Sequence, residues 1–337
     1  MNKINMKSWI TDVINNPERI AIPILTHPGI EMIDKTVLDA VTDGKVHAEA
    51  IKALNERYPS AASTVIMDLT VEAEAFGCTI NFSRNEVPTV SHRLVNNFEE
   101  VQQLAVPSLS TGRVPQYLLA NQLTVAAITD KPVLGGCIGP YSLAGRLFDM
   151  TEIMIAIYTE PDTINLLLEK CTQFLIEYCQ ALKNTGINGI IIAEPAAGLL
   201  SGDDCLQYSS LYVKQIIDAV QDDHFSVILH NCGNTGQCTQ AMLHTGAHGY
   251  HFGNAMNMMD ALETCPQDAL VMGNLDPVGV FRMLTPEQVK QATKNLLEQT
   301  AGYRNFVLSS GCDVPPHTPF ENVKAFYEAL AEYNNQH

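Results

Sequence analysis

Residues 226–252, SVILHNCGNTGQCTQAMLHTGAHGYHF, contain the unit whose repetition decides the fold. A short apolar, β-rich run (Ser226–Asn231) ends on polar and sulfur-bearing residues. A longer polar segment follows, and a second β-rich run opens at Gly249–Phe252. Runs of the same kind occur at Ile20–Thr26, Thr64–Leu69, Pro132–Ile138, Gly189–Ala193, Leu270–Asn274 and Phe306–Ser310. Between them lie helical stretches, among them Pro161–Asn184, Leu206–Val220, Thr285–Glu298 and Pro319–Asn334. Thr285-Pro286-Glu287-Gln288 is a helix start, with a capping hydroxyl, Pro in the first turn and an early acid. Asp162 after Pro161 marks another.

Strands that alternate with helices and are apolar on both faces pair in parallel. Eight of them predict an α/β fold, a TIM (β/α)8 barrel, with a doubly wound open sheet as the alternative. No linker or low-complexity tract breaks the pattern, so residues 1–337 are expected to form one domain. A helical extension is expected ahead of the first strand, and Val90–Ile128 reads as a helical insertion after the second, covering one end of the barrel.

Composition narrows the function. Hydrophobic residues make up 46% of the 337 and charged residues 17%, as in a folded globular chain. A net charge of −17 argues against nucleic acid, since no basic excess exists to neutralise phosphates. The stretch MNKINMKSWITDVINNPERI has charges breaking every apolar run and does not read as a signal peptide. No run of about 18 apolar residues exists, so no membrane span is expected. Nine cysteines without framework spacing point to reduced thiols in the cytoplasm.

The polar residues gather where strands end: His27, Asp68, Cys137-Ile138-Gly139-Pro140, Glu194, His230-Asn231-Cys232-Gly233, His251, Asn274-Leu275-Asp276-Pro277 and Gly311-Cys312-Asp313. In a barrel these ends converge on one mouth, where active sites are built. His230 and Cys232 are two apart on a strand and share a side. With Cys312 they form an N/S set suited to Zn2+, and three protein ligands leave one tetrahedral position open, as catalytic zinc requires. Spacing alone favours a plainer reading, in which the cysteines are small buried hydrophobes and the histidine is simply hydrogen-bonded.

The pattern H-x-C at 230–232, followed by the cysteine of SSGCDVPPHTPFENVKAF (309–326), resembles the uroporphyrinogen decarboxylase superfamily. It is most similar to the superfamily's zinc-dependent methylcobalamin:coenzyme M methyltransferase branch. MDLTVEAEAFG (67–77), GCIGPYSLAG (136–145) and GNLDPVGVF (273–281) agree, so the likeness runs over essentially the whole chain. The resemblance implies a TIM barrel, zinc on His230, Cys232 and Cys312, and methyl transfer from methylcobalamin or a corrinoid protein to a small thiol.

Other residues stay open at this point. Glu194 reads as a displaceable fourth ligand, an orienting carboxylate or a helix cap, and His251 as a ligand or substrate contact. Asp68 matches the decarboxylases' pyrrole-binding carboxylate and here would orient substrate or cap a turn. Gly139, which permits close backbone approach, and Asp276 are candidates for corrinoid contact. Glu72 and Glu74, two apart on a helix, do not share a face, and Cys238 reads as packing. Arg146 is a candidate for an anionic group on the thiol. Decarboxylation is the rival activity, disfavoured because LTHPGIEMIDKT (25–36) lacks the arginines a polycarboxylate substrate needs. A non-catalytic corrinoid- or metal-binding protein is the other alternative.

Overall fold

The computed structural model describes residues 4–336, so the first three residues of the expected N-terminal extension lie outside them. Among the described residues nine short strands form in chain order: β1 (Ser63–Thr64), β2 (Ile80–Asn81), β3 (Thr89–Val90), β4 (Val133–Ile138), β5 (Gly189–Ala193), β6 (Ser226–Asn231), β7 (Gly249–Phe252), β8 (Leu270–Leu275) and β9 (Phe306–Ser310). Strands β1, β4, β5, β6, β7, β8 and β9 lie in that order in one sheet, and every pairing is parallel. The extended segment 20–25 closes the curl as an eighth stave. Ala21 bridges Leu308 of β9, and its carbonyl accepts the Ala61 N–H just ahead of β1. Pro23 has no N–H to offer, which is why the expected strand Ile20–Thr26 is reduced to this one bridge. The architecture is a TIM-type barrel.

Strand β1 is also shorter than the expected Thr64–Leu69, because side chains take the place of its ladder partners. The buried His47 Nε2 accepts the Ile66 N–H at 3.0 Å, and Glu72 takes the Ile138 N–H of β4 at 3.1 Å. Burial drives His47 down to about 3, so it is a neutral acceptor.

Alternation along the strands separates two cores. One face of each strand packs on the surrounding helices. The other face fills the barrel with Ile22, Ile24, Leu134, Ile191, Ile228, Leu270, Met272 and Val307. The helix Met6–Asn15 puts Ile10 and Trp9 against this interior and closes the N-terminal end. Its cap is Asn5, whose side chain accepts the Ser8 N–H.

Val90–Ile128 is not continuously helical, which corrects the expectation. The helices there are Phe98–Gln103 and Val114–Ala127. Pro107, the Ser108–Ser110 hydroxyl contact and Gly112 at φ +56° make the intervening stretch a run of turns. The longer helix lies on the flank, where Gln116 caps the Gly44 N–H of helix Gly44–Arg57. The expected helix Leu206–Val220 opens with a π turn, Leu206–Ser210, before the α-helix Leu211–Val220. Among the described residues no helix is long and apolar enough to cross a membrane.

Candidate metal centre and barrel mouth

The inner face that is apolar at the bottom of the barrel turns polar toward the strands' C-terminal ends. Two residues past Ile228 on β6 stands His230, and two further Cys232. His251 of β7 is the register partner of His230, and Ser309 stands two past Val307 on β9. Cys312 follows β9 by two residues. His230 is buried and the two cysteines are partly so. Gly253 is required beside them, since a Cβ there would lie 2.6 Å from the Cα of Cys232.

The candidate ligand atoms of His230, Cys232 and Cys312 all lie within 4.8 Å of one another. Tetrahedral zinc, with bonds of ~2.0–2.3 Å, separates its ligand atoms by ~3.3–3.8 Å, so small rotations would complete the fit. His230 Nδ1 is engaged by His251, at 2.8 Å from its Nδ1 and 3.3 Å from its carbonyl. His230 Nε2 is buried with no hydrogen-bond partner among the described residues. A buried polar atom so placed, facing the Cys312 thiol, is free to take a ligand. Hydrogen bonding with the Cys312 thiol brings Cys232 down to about 7, and the same contact pushes Cys312 well up. One of the two thiols is therefore readily ionised at neutral pH, which is what a soft metal needs.

His251 is not in this cluster, because both of its nitrogens are used. Nδ1 faces His230 and Nε2 lies 2.8 Å from the Ser309 hydroxyl. Burial, then the neighbouring His230, holds it well below the usual histidine range and hence neutral.

Glu194, fully buried at the end of β5, also stands outside the cluster. Its carboxylate accepts the Ser142 N–H at 2.9 Å and the Tyr141 N–H at 3.3 Å, with a short bond from the Ser209 hydroxyl. It thus faces the N-terminus of helix Pro140–Phe148, and the π turn delivers Ser209 to it. Burial raises its pKa against these donors. Gly139 is part of the same arrangement: a Cβ there would lie 2.2 Å from the Glu194 Cγ.

Asp68 sits at the opposite side of the mouth in an ion pair that the sequence did not announce. Its partner is Arg113, whose Nε also binds Glu74 at 2.6 Å and whose Nη2 binds Thr70 Oγ1 at 2.8 Å. Thr70 donates its N–H and hydroxyl to Asp68. The Phe82 ring, directly after β2, lies 4.9 Å from the guanidinium. As expected, Glu72 and Glu74 part company: Glu74 joins Arg113, and Glu72 is buried against Ile138. Burial raises Glu72 to about 7, and its second oxygen has no partner among the described residues. Arg146, half-buried, also has an unpartnered Nε.

Asp276 caps its own turn through the Val278 and Gly279 N–H groups and holds Asn254 at 3.1 Å. Cys238 is buried against the Ala197 carbonyl, as its packing reading expects. His27 pairs with Asp313 at 3.0 Å, which raises its pKa against burial. Neither arginine flanking the first loop turns to the mouth: Arg19 binds the carbonyls of Thr300, Ala301 and Tyr303, and Arg57 stacks on Phe320.

Fold and cluster together define a TIM-barrel protein with a His/Cys/Cys cluster at its mouth that could hold a metal ion. The sequence model of the family described as Uroporphyrinogen decarboxylase (URO-D) matches residues 17–333, and the chain belongs to that family. It is 32% identical over 276 residues to the methylcobamide:CoM methyltransferase MtbA of Methanosarcina acetivorans, covering 81% of this chain and 80% of that one. To the MtbA of Methanosarcina mazei it is 32% identical over 301 residues, covering 86% of each. A solved structure titled as a methyltransferase from Methanosarcina mazei superposes with a TM-score of 0.87 at 25% identity, over 98% of this chain and 99% of that one.

Proposed function

We propose that this protein is a zinc-dependent methyltransferase that moves a methyl group from a methylated corrinoid to a thiol such as coenzyme M or a related small thiol. The observation that carries the proposal is the cluster of His230, Cys232 and Cys312 with a bare, buried Nε2. The likeness to the MtbA proteins over more than four-fifths of the chain supports the donor and the thiol class. The reduced thiols of all nine cysteines suit the cytoplasm.

A free thiol has a pKa near about 8.5 and attacks only as the thiolate. Zinc, when bound, deprotonates a thiol placed in its open position. Two thiolates and a neutral imidazole balance its two positive charges, so an acceptor sulfur keeps its nucleophilicity. A bound methyl corrinoid would supply the methyl group, its cobalt–carbon bond giving the electron pair to the departing corrinoid as the new S–C bond formed, while the thiol proton would leave to solvent. Asp68, locked by Arg113 and Thr70, shapes the far wall of the mouth. Glu194 orients the end of β5 beside His230, whose carbonyl accepts the Glu194 N–H at 2.8 Å. The donor, as methylcobalamin or a corrinoid protein, would meet a rim of exposed Phe82, Leu199, Val278 and Met283, next to Asp276. Gly139 serves this mouth indirectly, by making room for Glu194. Arg146 is the group offered to an anionic substituent of the thiol.

Stoichiometric zinc and methyl transfer from methylcobalamin to a panel of thiols are the expected results. Cys312→Ala should lose the metal and lower transfer by about two orders of magnitude or more, beyond the loss typical of a ligand's outer partner. Porphyrinogen turnover without zinc would overturn the proposal in favour of decarboxylation. Zinc without transfer to any thiol would leave only a binding protein.

A further inference from the structure

We infer that Ser309 and His251 form a one-way hydrogen-bond relay that fixes His230 in the single tautomer able to hold a metal through Nε2. The inference rests on the reading of His230, Cys232 and Cys312 as zinc ligands. It assigns two positioning residues that act through His230.

The direction of the relay follows from counting hydrogens. The Ser309 hydroxyl donates its one hydrogen to the buried Ile22 carbonyl at 2.8 Å. Toward His251 Nε2, also at 2.8 Å, it can therefore only accept. His251 therefore carries its hydrogen on Nε2, where the Ser309 oxygen can accept it. His251 is fully buried and no carboxylate pairs with it among the described residues, so the ring carries that one hydrogen and its Nδ1 is a bare lone pair; the contact of 2.8 Å to His230 Nδ1 then requires the hydrogen to sit on His230. The carbonyl of His251, 3.3 Å from the same nitrogen, gives that hydrogen a second acceptor. What remains on His230 is a lone pair on Nε2, the buried atom without a partner that faces the two thiols.

The opposite direction fails at its far end. With the hydrogen on His251 Nδ1, its Nε2 lone pair would face a Ser309 oxygen whose hydrogen is already committed to Ile22. That sets two lone pairs against each other in the dry centre of a barrel, where an unmet polar contact is costly. It would also place a hydrogen on His230 Nε2, where the metal must bind. The relay is built into the fold: β6–β7 register pairs the two histidines, alternation on β9 points Ser309 inward, and the first stave supplies the Ile22 carbonyl.

Wild-type protein without metal, labelled with 15N-histidine, provides the direct test and needs no substitution. Long-range 1H–15N spectra should show His230 with its hydrogen on Nδ1 and His251 with its hydrogen on Nε2. A His230 hydrogen on Nε2 overturns the relay. His251→Phe should weaken zinc binding in chelator competition by about 10–100-fold, the usual cost of losing a ligand's outer partner. His251→Gln, whose amide can accept from His230 and donate to Ser309, should recover part of that loss. Unchanged zinc affinity in a folded His251→Phe variant also overturns the relay. A wild-type chain that shows these tautomers but binds no zinc would count for the relay and against the proposed function.

Discussion

The two sides of the barrel mouth are built on opposite principles. On the side of β6, β7 and β9, polar atoms converge and one is left bare: His230 Nε2 faces two thiols, and everything behind it is hydrogen-bonded. On the side of the first loops, Asp68, Arg113, Thr70 and Glu74 saturate one another, and Glu194 is satisfied by a helix N-terminus and Ser209. Both sides present charged or ionisable groups at strand ends, so position alone does not separate them. The proposed chemistry falls on the side with the unmet valence, and on that reading the saturated side is scaffold. His27, Glu72 and Arg146 blur the division, since each keeps one buried polar atom without a partner among the described residues.

Breaking the saturated side should therefore cost stability before it costs chemistry. Arg113→Ala leaves the buried Asp68 carboxylate without its cation, and side-chain exposures of 8% and 1% put this pair out of reach of solvent screening. Loss of one partner of such a pair costs about 3–5 kcal/mol, to be read from chemical denaturation of the metal-free protein. Arg113→Lys should not rescue it, because a single ammonium cannot serve Asp68, Thr70 and Glu74 at once. An unfolding free energy unchanged in Arg113→Ala would mean that Asp68 is not held as scaffold.

Glu72 sharpens the comparison with an effect of the opposite sign. Its pKa is raised from an ordinary 4.5 to about 7, so the folded state holds a proton that the unfolded chain has released. Stability from this group is full below about pH 4.5 and is lost as pH rises to about 7, by roughly 3 kcal/mol in total. Glu72→Gln, which stays neutral, should flatten that part of the stability–pH profile and stabilise the protein at pH 8. A profile unaltered between pH 4.5 and 7 would show that Glu72 finds a partner in the folded state.

Most of this division is visible in the sequence, though only from one end. The eight β-rich runs, their polar ends and the H-x-C followed by a distant cysteine locate the barrel, the mouth and the His/Cys/Cys cluster. The strands keep their alternation, so His230 and Cys232 are bound to share a face. Arg113 is not visible, because it comes from a stretch of turns, 45 residues from Asp68, that carries no periodicity. An isolated arginine just before the Val114-Pro115 helix start is the one available signal. The relay of Ser309 and His251 is invisible for another reason: it depends on register between strands, and sequence fixes which side a residue faces but not which residue stands opposite.

The smallest effect is expected where the scaffold loses one bond among several. Ser209 gives its hydroxyl to Glu194, whose other acceptors are filled by the Tyr141 and Ser142 N–H groups. Ser209→Ala should cost about 1–3 kcal/mol, because the carboxylate stays buried with one donor fewer. Burial already raises the pKa of Glu194, and removing a donor that favours its ionised form should raise it further. The loss of stability should therefore be larger at pH 8 than at pH 5, since protonation relieves the unmet acceptor. Zinc affinity should stay within about threefold of wild type, because Glu194 touches none of the ligand atoms. If instead zinc binding weakens as much as in His251→Phe, Glu194 belongs to the metal side of the mouth, and the boundary between the two halves must be redrawn through β5.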